Sequence, residues 1–303
     1  MTEIVKGGKL SDDIILFEDD ELLVVNKPAK TVVNQAKTTK EETVQSWFVQ
    51  RVGAKEALQE IAKNSQAWID QVPLEFNDKY GTPAEIFLQK QGVVHRLDKD
   101  TSGVLVLAKN PGSLVSLLDQ FKNRKVKKKY LCLVHGKIKV GSSVIRAPIA
   151  RSTANRQKFR VDIEGRNAST HYRVAQLFSG LDFNQLDQEP EKIPTKIKKE
   201  LESYQQGFSL VECLPKTGRT HQLRVHFSHL GHPIVSDHAY AGEKRSNLDK
   251  RWCPRQFLHA QAIELTHPKT GKQVVFKAEL TEELQQVLRF LNSGKKIHLL
   301  TAF

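Results

Sequence analysis

Short apolar runs rich in β-branched and aromatic residues recur along the chain, and they restrict its fold more than any other feature. Runs of this kind, separated by polar residues, are typical of β-strands. Strands are predicted at residues 14–17, 22–25, 103–108, 130–134, 143–149, 158–163, 168–178, 207–214, 258–265 and 273–277. Strands at this density favour an antiparallel or mixed sheet.

Other segments space their apolar residues as helices do. Residues 36–92 are interpreted as a largely helical insertion, and residues 221–230 and 282–292 as short helices. The polar, charged residues 180–206 are interpreted as a second insertion between two strands.

Composition narrows the class of protein. The chain has 303 residues, 39% of them hydrophobic, which is enough to bury the core of one large domain. Its 47 Lys and Arg against 34 Asp and Glu give a net charge of +13, so nucleic acid or an anionic membrane surface fits as a partner. No apolar run is long enough to span a bilayer and the start lacks a signal pattern, so a soluble cytoplasmic protein is expected.

Cysteines and histidines do not predict a metal centre. The three cysteines are widely spaced and odd in number, which supports neither a disulfide framework nor a CxxC site. Five histidines raise a zinc hypothesis, but no HExxH motif accompanies them, and we expect no metal. These histidines are His221, His226, His229, His232 and His238.

Residues 95–103, with the sequence HRLDKDTSG, form a polar loop directly before an apolar strand. Polar loops held by a rigid scaffold commonly carry function. An equally weighted alternative is that Asp98 and Ser102 only satisfy turn and backbone groups.

A second polar motif, residues 216–224, has the sequence KTGRTHQLR. Gly218 permits a tight turn, and Arg219 precedes a predicted helix. A guanidinium can hold a carboxylate in two hydrogen bonds and keep it ionised. Alternatively, Arg219 binds a phosphate at the helix N-terminus or forms a weak surface pair.

The loop at residues 95–103 resembles the signature of the RluA-type pseudouridine synthases. Further matching segments follow the family's order over most of the chain. They are residues 24–28, Tyr130, residues 218–226, residues 231–234, residues 258–260, Leu265 and residues 267–268. Lys30 and Asn34 depart from the family pattern, where glycine and histidine are usual.

The resemblance implies an α+β fold, a mixed, mainly antiparallel central sheet flanked by helices, with a central cleft. It implies one catalytic domain over residues 1–303, without an N-terminal S4 domain and without a cofactor. Asp98 is then the catalytic carboxylate, attacking either the uracil ring or the ribose C1′ before the base rotates and reattaches through C5.

The same resemblance assigns roles to other side chains. Arg219 would pair with Asp98, and Tyr130 would stack on the flipped uracil and assist proton removal, although a phenol with a pKa near about 10 is a poor base at neutral pH. Arg96 would enter the space left by the flipped nucleotide, or else pair with Asp100.

Base support and RNA contacts complete the expected site. Leu265 matches an apolar position that supports the base, although plain core packing explains it equally well. Lys128, Lys129 and Arg224 are expected to contact RNA phosphates, with solvated charge as the alternative.

The expected function is that of a monomeric RNA pseudouridine synthase, with ribosomal RNA preferred over transfer RNA. Two alternatives stay open. One is a noncatalytic RNA-binding protein that keeps the fold, and the other is a nucleoside hydrolase that releases free uracil.

Overall fold

The chain contains both helices and strands, and its computed structural model describes residues 10–36, 39–186, 194–202 and 206–296. The strands are β1 (Ile15–Glu18), β2 (Leu22–Lys27), β3 (Ser102–Ala108), β4 (Lys127–His135), β5 (Ser142–Arg146), β6 (Ile149–Arg151), β7 (Phe159–Val161), β8 (Ser169–Leu181), β9 (Phe208–Pro215), β10 (Leu258–Thr266), β11 (Gln273–Lys277) and β12 (Leu291–Lys296). The helices are α1 (Val44–Arg51), α2 (Ala54–Lys63), α3 (Pro83–Lys90), α4 (Pro111–Lys122), α5 (Phe183–Leu186), α6 (Thr195–Glu202), α7 (Gln222–His229), α8 (Glu243–Asp249) and α9 (Glu282–Arg289).

The chain folds into two compact units. Unit 1 comprises Met1–Lys127 and Ala260–Glu279, and unit 2 comprises Lys128–His259 and Leu280–Phe303. The α+β prediction, with a mainly antiparallel sheet and flanking helices, is confirmed. The single catalytic domain and its central cleft stay predictions.

In unit 1 the strands follow the order β1-β2-β3-β10, and β11 lies beside β10. The pairs β1–β2, β2–β3 and β10–β11 are antiparallel. Residues Leu22 to Val25 and Val104 to Ala108 are almost completely buried, because both helices and neighbouring strands pack around them. The register of β2 and β3 places Lys27 opposite Gly103, at the base of the loop that carries Asp98.

The expected helical insertion at residues 36–92 consists of α1, α2, α3 and three short 3-10 turns. Two of its helices begin with capping boxes, in which a threonine and the residue three positions later satisfy each other's backbone N–H groups. Thr43 pairs with Ser46 at the start of α1, and Thr82 pairs with Glu85 at the start of α3. The helical interpretation of this segment is confirmed.

In unit 2 the strand order is β4-β9-β8-β12, with β5 pairing β8, and the pairs with known register are antiparallel. Alternate residues of β4 enter two cores. Leu131 and Leu133 pack with Phe257 and α9, whereas Cys132 and Val134 pack with α7.

Two of the predicted segments differ from the observed elements in more than the extent of their ends. The run at 143–149 is divided between β5 and β6, because Pro148 has no N–H to continue a ladder. The helix predicted at 282–292 is too long: α9 ends at Arg289, and Leu291 pairs with Leu181 of β8 instead. Strand pairing over such a separation is not visible in a local periodicity.

The second expected insertion, residues 180–206, is described in part. It contains the end of β8, α5 and α6, while residues 187–193 and 203–205 lie outside the described residues. Among the described helices, none has both the length and the apolar character needed to cross a bilayer.

Gly103 is required where β3 meets β10. Its φ of +113° is unfavourable for residues with a side chain, and a Cβ there would collide with the backbone of Ala260. We expect Gly103→Ala to lower the free energy of unfolding by about 2 kcal/mol or more, from backbone strain and overpacking. Urea denaturation measures this change.

Gly180→Ala is the matched control, because a Cβ at Gly180 has no heavy atom within 4 Å. Equal urea midpoints for the two variants would contradict the account of Gly103.

Candidate active site

The loop at residues 95–101 is fixed to the sheet of unit 1 through His95. The backbone N–H of Val106 donates to His95 Nε2 at 3.0 Å, and the imidazole stacks on Phe121 with ring centres 4.9 Å apart. Because Nε2 accepts a hydrogen bond, it carries no proton in this arrangement. His95 therefore serves as an anchor of the loop.

A second anchor is Lys27, whose side chain is completely buried. Its Nζ donates to the carbonyls of Pro28 at 2.7 Å, Thr31 at 2.9 Å and Lys99 at 3.1 Å. A buried amine is stable only when its donors are satisfied, so these three contacts tie the end of β2 to the loop. The contact to Lys99 fixes the residue next to Asp98.

Asp98 itself is half-buried and lies in a tight turn. Its carbonyl accepts a hydrogen bond from Thr101 N at 3.1 Å, and its neighbour Leu97 is buried. Arg96, on the other side of Leu97, is exposed to solvent. The loop thus holds a carboxylate beside an accessible guanidinium-bearing residue.

Tyr130 lies in β4 of unit 2, opposite Cys213 of β9. It is half-buried and packs against the same core as Cys132 and Val134. Lys128 is two residues away, so it lies on the same face of the strand.

The loop that carries Arg219 is organised by Gln222. The Gln222 Oε1 accepts from Arg219 N at 3.0 Å and from Thr217 Oγ1 at 2.7 Å. Its Nε2 donates to Ser169 O at 3.1 Å and to Thr170 Oγ1 at 3.0 Å. One buried amide therefore connects the loop to the start of β8.

Arg219 is half-buried, and its Nε donates to the carbonyl of Asn167 at 3.1 Å. Asp98 belongs to unit 1, whereas Tyr130 and Arg219 belong to unit 2. The pairing of Arg219 with Asp98 stays a prediction.

The structure brings Lys128 to the Arg219 loop. Its Nζ lies 3.5 Å from the carbonyl oxygen of Thr217. Removal from water lowers the pKa of Lys128 to about 8, because protein surrounds the amine and disfavours its charged form. Among the described residues, no carboxylate lies within ion-pair distance of this amine.

Lys129, the next residue, is paired. Its Nζ lies 2.6 Å from Glu212, and Arg173 binds the same carboxylate at 2.5 Å. Burial acts to raise the pKa of Glu212, but the hydrogen bonds from Lys129 and Arg173 hold it below its usual value.

Arg224 was expected to contact RNA, but its guanidinium is buried and bound elsewhere. Its Nε and NH2 atoms bind the two oxygens of Asp237 at 2.7 and 2.8 Å, and Tyr240 covers it at 5.1 Å. This bidentate pair gives Arg224 a structural role, and its contact with RNA stays a prediction. Asp237 lies 13 residues further along the chain and outside the motif that contains Arg224, so the motif did not indicate this pair.

Leu265 is completely buried in β10 of unit 1, which agrees with the core-packing alternative. Among the candidate zinc histidines, His226 contacts Thr170 Oγ1 and the Ala147 carbonyl, both at 3.0 Å. Burial lowers the pKa of His226. Within the described part of the chain, no three His, Cys, Asp or Glu residues form a group that could hold a metal ion.

Sequence reasoning missed the positioning roles of Lys27 and Gln222. Both residues lie in segments with family resemblance. Each acts through hydrogen bonds to residues far away in the chain, Lys99 for Lys27 and Ser169 for Gln222, so no local pattern indicated these roles.

Comparison with known proteins identifies the family. A family model described as RNA pseudouridylate synthase matches residues 21–229. The chain is 32% identical to an uncharacterized RNA pseudouridine synthase of Bacillus subtilis, covering 92% of this chain and 73% of that protein.

Two further relatives are named for the ribosomal large subunit. The chain is 33% identical to pseudouridine synthase D of Zymomonas mobilis, over 91% of this chain and 72% of that protein. It is 32% identical to pseudouridine synthase C of Vibrio vulnificus, over 97% of this chain and 74% of that protein.

Solved structures agree with the fold. Human RNA pseudouridylate synthase domain containing 1 has a TM-score of 0.60 at 23% identity, over 94% of this chain and 90% of that one. Human RNA pseudouridylate synthase domain containing 4 has a TM-score of 0.56 at 22% identity, over 93% of this chain and 94% of that one. The chain belongs to the RNA pseudouridine synthase family, whose members are isomerases acting on RNA.

Proposed function

We propose that this enzyme isomerises specific uridines in structured RNA, with large-subunit ribosomal RNA as its substrate in preference to transfer RNA. The observation that carries the chemistry is the half-buried Asp98, on a loop fixed by Lys27 and His95. The names of the Zymomonas and Vibrio relatives support the choice of RNA. We further propose that it acts in the cytoplasm as a monomer.

In the proposed reaction, Asp98 is the nucleophile and attacks uracil C6 or ribose C1′. The N1–C1′ bond breaks, the base rotates, a C5–C1′ bond forms, and the bond to Asp98 breaks, which restores the free carboxylate. The hydrogen on C5 leaves as a proton and N1 takes one up, so atoms and electrons balance without an oxidant or reductant.

Tyr130 and Arg219 complete the proposed catalytic set. Arg219 pairs with Asp98 and orients its carboxylate, and Tyr130 stacks on the uracil and assists removal of the C5 proton. Flipping the nucleotide costs a few kcal/mol, and the exposed Arg96 recovers part of that by stacking on neighbouring bases.

Lys128 and Lys129 are the proposed phosphate contacts in unit 2. Lys129 is half-buried and shares Glu212 with Arg173, whereas the Lys128 amine, among the residues that the structure describes, contacts the Thr217 carbonyl and no carboxylate. An uncompensated ammonium group attracts a phosphate more strongly than one already paired. Affinity for RNA is expected to fall as salt rises, through the release of counterions.

Asp98→Asn is expected to abolish activity, because the amide is a poor nucleophile of nearly the same size. The measurement is tritium release from unmodified large-subunit ribosomal RNA labelled at uridine C5. The variant should fall to background while keeping RNA affinity and thermal stability.

A wild-type enzyme that releases no tritium from unmodified ribosomal or transfer RNA would contradict the proposal. Chromatography of the same reaction distinguishes the synthase from a nucleoside hydrolase, because only the hydrolase would release free uracil.

Lys27→Met is expected to lower kcat by about 10- to 100-fold with little change in KM, because a loop displaced by about 1 Å misplaces Asp98. Steady-state tritium release measures both constants. Lys40→Met, a substitution of an exposed lysine in the same unit, is the control. If the folded Lys27 variant has a normal kcat, the anchor does not position the catalytic loop.

The contribution of Lys128 to RNA affinity should be pH-dependent. Its pKa is lowered to about 8, so the amine is charged below that pH and loses its charge as pH rises through it. RNA affinity of the wild type should therefore exceed that of Lys128→Gln at pH 7, and the difference should shrink by pH 9.

Fluorescence anisotropy with labelled RNA measures this difference. Lys125→Gln, at an exposed position of the same basic run, is the control and should change affinity equally at both pH values. A pH-independent effect of Lys128→Gln would rule out the titration.

A further inference from the structure

A cavity of about 640 Å³ lies in unit 1, and none of the candidate active-site residues lines it. Its walls are the segment that precedes α3, the helix α3 itself and the outer side of α4. The lining residues are Pro73, Glu75, Phe76, Asn77, Lys79, Tyr80, Ile86, Gln89, Lys90, Val115, Leu118, Asp119 and Lys122. The volume falls within the range of small-ligand sites.

The cavity has an apolar floor and an aromatic rim. Ile86 and Val115 are buried, and Phe76 and Leu118 are half-buried, so the floor is fixed by the packing of α3 on α4. Tyr80 is 82% exposed, which leaves its ring accessible for stacking.

Charged and polar groups surround this floor. Lys79, Lys90 and Lys122 are exposed lysines on the rim, and Lys79 Nζ lies 5.8 Å from the centre of the Tyr80 ring. Two carboxylates and two amides also line the cavity: Glu75, Asp119, Asn77 and Gln89.

This combination fits a nucleotide. An unpaired base stacks on aromatic side chains, and amides and carboxylates can bind its edges. Lysine amines bind the flanking phosphates. A peptide or small apolar ligand would use the floor but gives no role to three lysines around it, in a chain with a net charge of +13.

We propose that this cavity binds one unpaired nucleotide of the substrate RNA, distinct from the uridine that is isomerised. The proposal rests on the proposed function for its RNA, and it gives the helical segment at 36–92 a role in substrate choice. The α3 helix ends at Lys90, and the catalytic loop begins at His95 after a short bridge from Val93 to Leu107 of β3. A nucleotide held against α3 is therefore held by the same compact unit as Asp98.

Tyr80→Ala tests the stacking. In an Asp98→Asn background, which binds RNA without turnover, the affinity for an unmodified large-subunit ribosomal RNA transcript should fall about tenfold, within the range for one stacked base. Leu74→Ala is the matched control, since Leu74 is fully exposed in the same segment but does not line the cavity. It should leave the affinity unchanged.

The double variant Lys79→Ala/Lys122→Ala tests the phosphate contacts. It should reduce the salt dependence of binding more than Lys55→Ala/Lys63→Ala, which removes two exposed lysines of α2 outside the cavity. Equal salt dependence in the two double variants would overturn the phosphate role.

Photocrosslinking locates the contact directly. Transcripts containing 5-iodouridine should crosslink to Tyr80, identified by mass spectrometry, and Tyr80→Ala should lose that product. If Tyr80→Ala leaves the affinity for RNA unchanged, the proposal is overturned. That result would be expected if the cavity bound a protein instead of a nucleotide. Because binding is measured without turnover, an inactive wild type with a Tyr80-dependent affinity would refute the proposed function and still support the cavity.

Discussion

A buried lysine amine that donates to three backbone carbonyls is the interaction on which the candidate site in unit 1 depends. Lys27 has no exposed surface, so its amine must find partners inside the protein, and the carbonyls of Pro28, Thr31 and Lys99 supply them. Opposite Lys27 in the sheet is Gly103, where the absence of a side chain lets β3 approach β10 closely. The turn that contains Asp98 is therefore held by Lys27 through Lys99, and it is followed in the chain by the close contact at Gly103.

Unit 2 uses the same physical device with different residues. Gln222 is buried, and its amide satisfies donors and acceptors from the Arg219 loop and from the start of β8. In both units a buried polar side chain fixes a candidate functional loop through backbone groups. Such networks are costly when incomplete, so they specify a single loop conformation.

Local patterns predicted most of the strands and helices, because alternating and helical periodicities are properties of neighbouring residues. The loop with Asp98 and the loop with Arg219 were also recognisable, since each packs polar residues beside an apolar run. Strand β12 was not, because its pairing with β8 joins residues more than 100 positions apart, such as Leu291 and Leu181.

Positioning roles were hidden for the same reason. Lys27 forms a hydrogen bond with Lys99, and Gln222 forms one with Ser169. Because the partners are distant in the chain, a local sequence pattern does not indicate either bond. In the sequence, Arg224 resembles a surface cation, whereas in the structure it is buried and paired with Asp237. The cavity lined by α3 and α4 depends on the packing of these two helices, which are separated in the chain by β3.

The central claim is that this chain makes pseudouridine at defined positions of large-subunit ribosomal RNA. Mapping pseudouridines in RNA from a wild-type strain and from a strain lacking the gene tests it most directly. The account predicts that at least one large-subunit position loses its pseudouridine, and that the native gene restores it while the Asp98→Asn gene does not. Identical maps in the two strains would contradict the account.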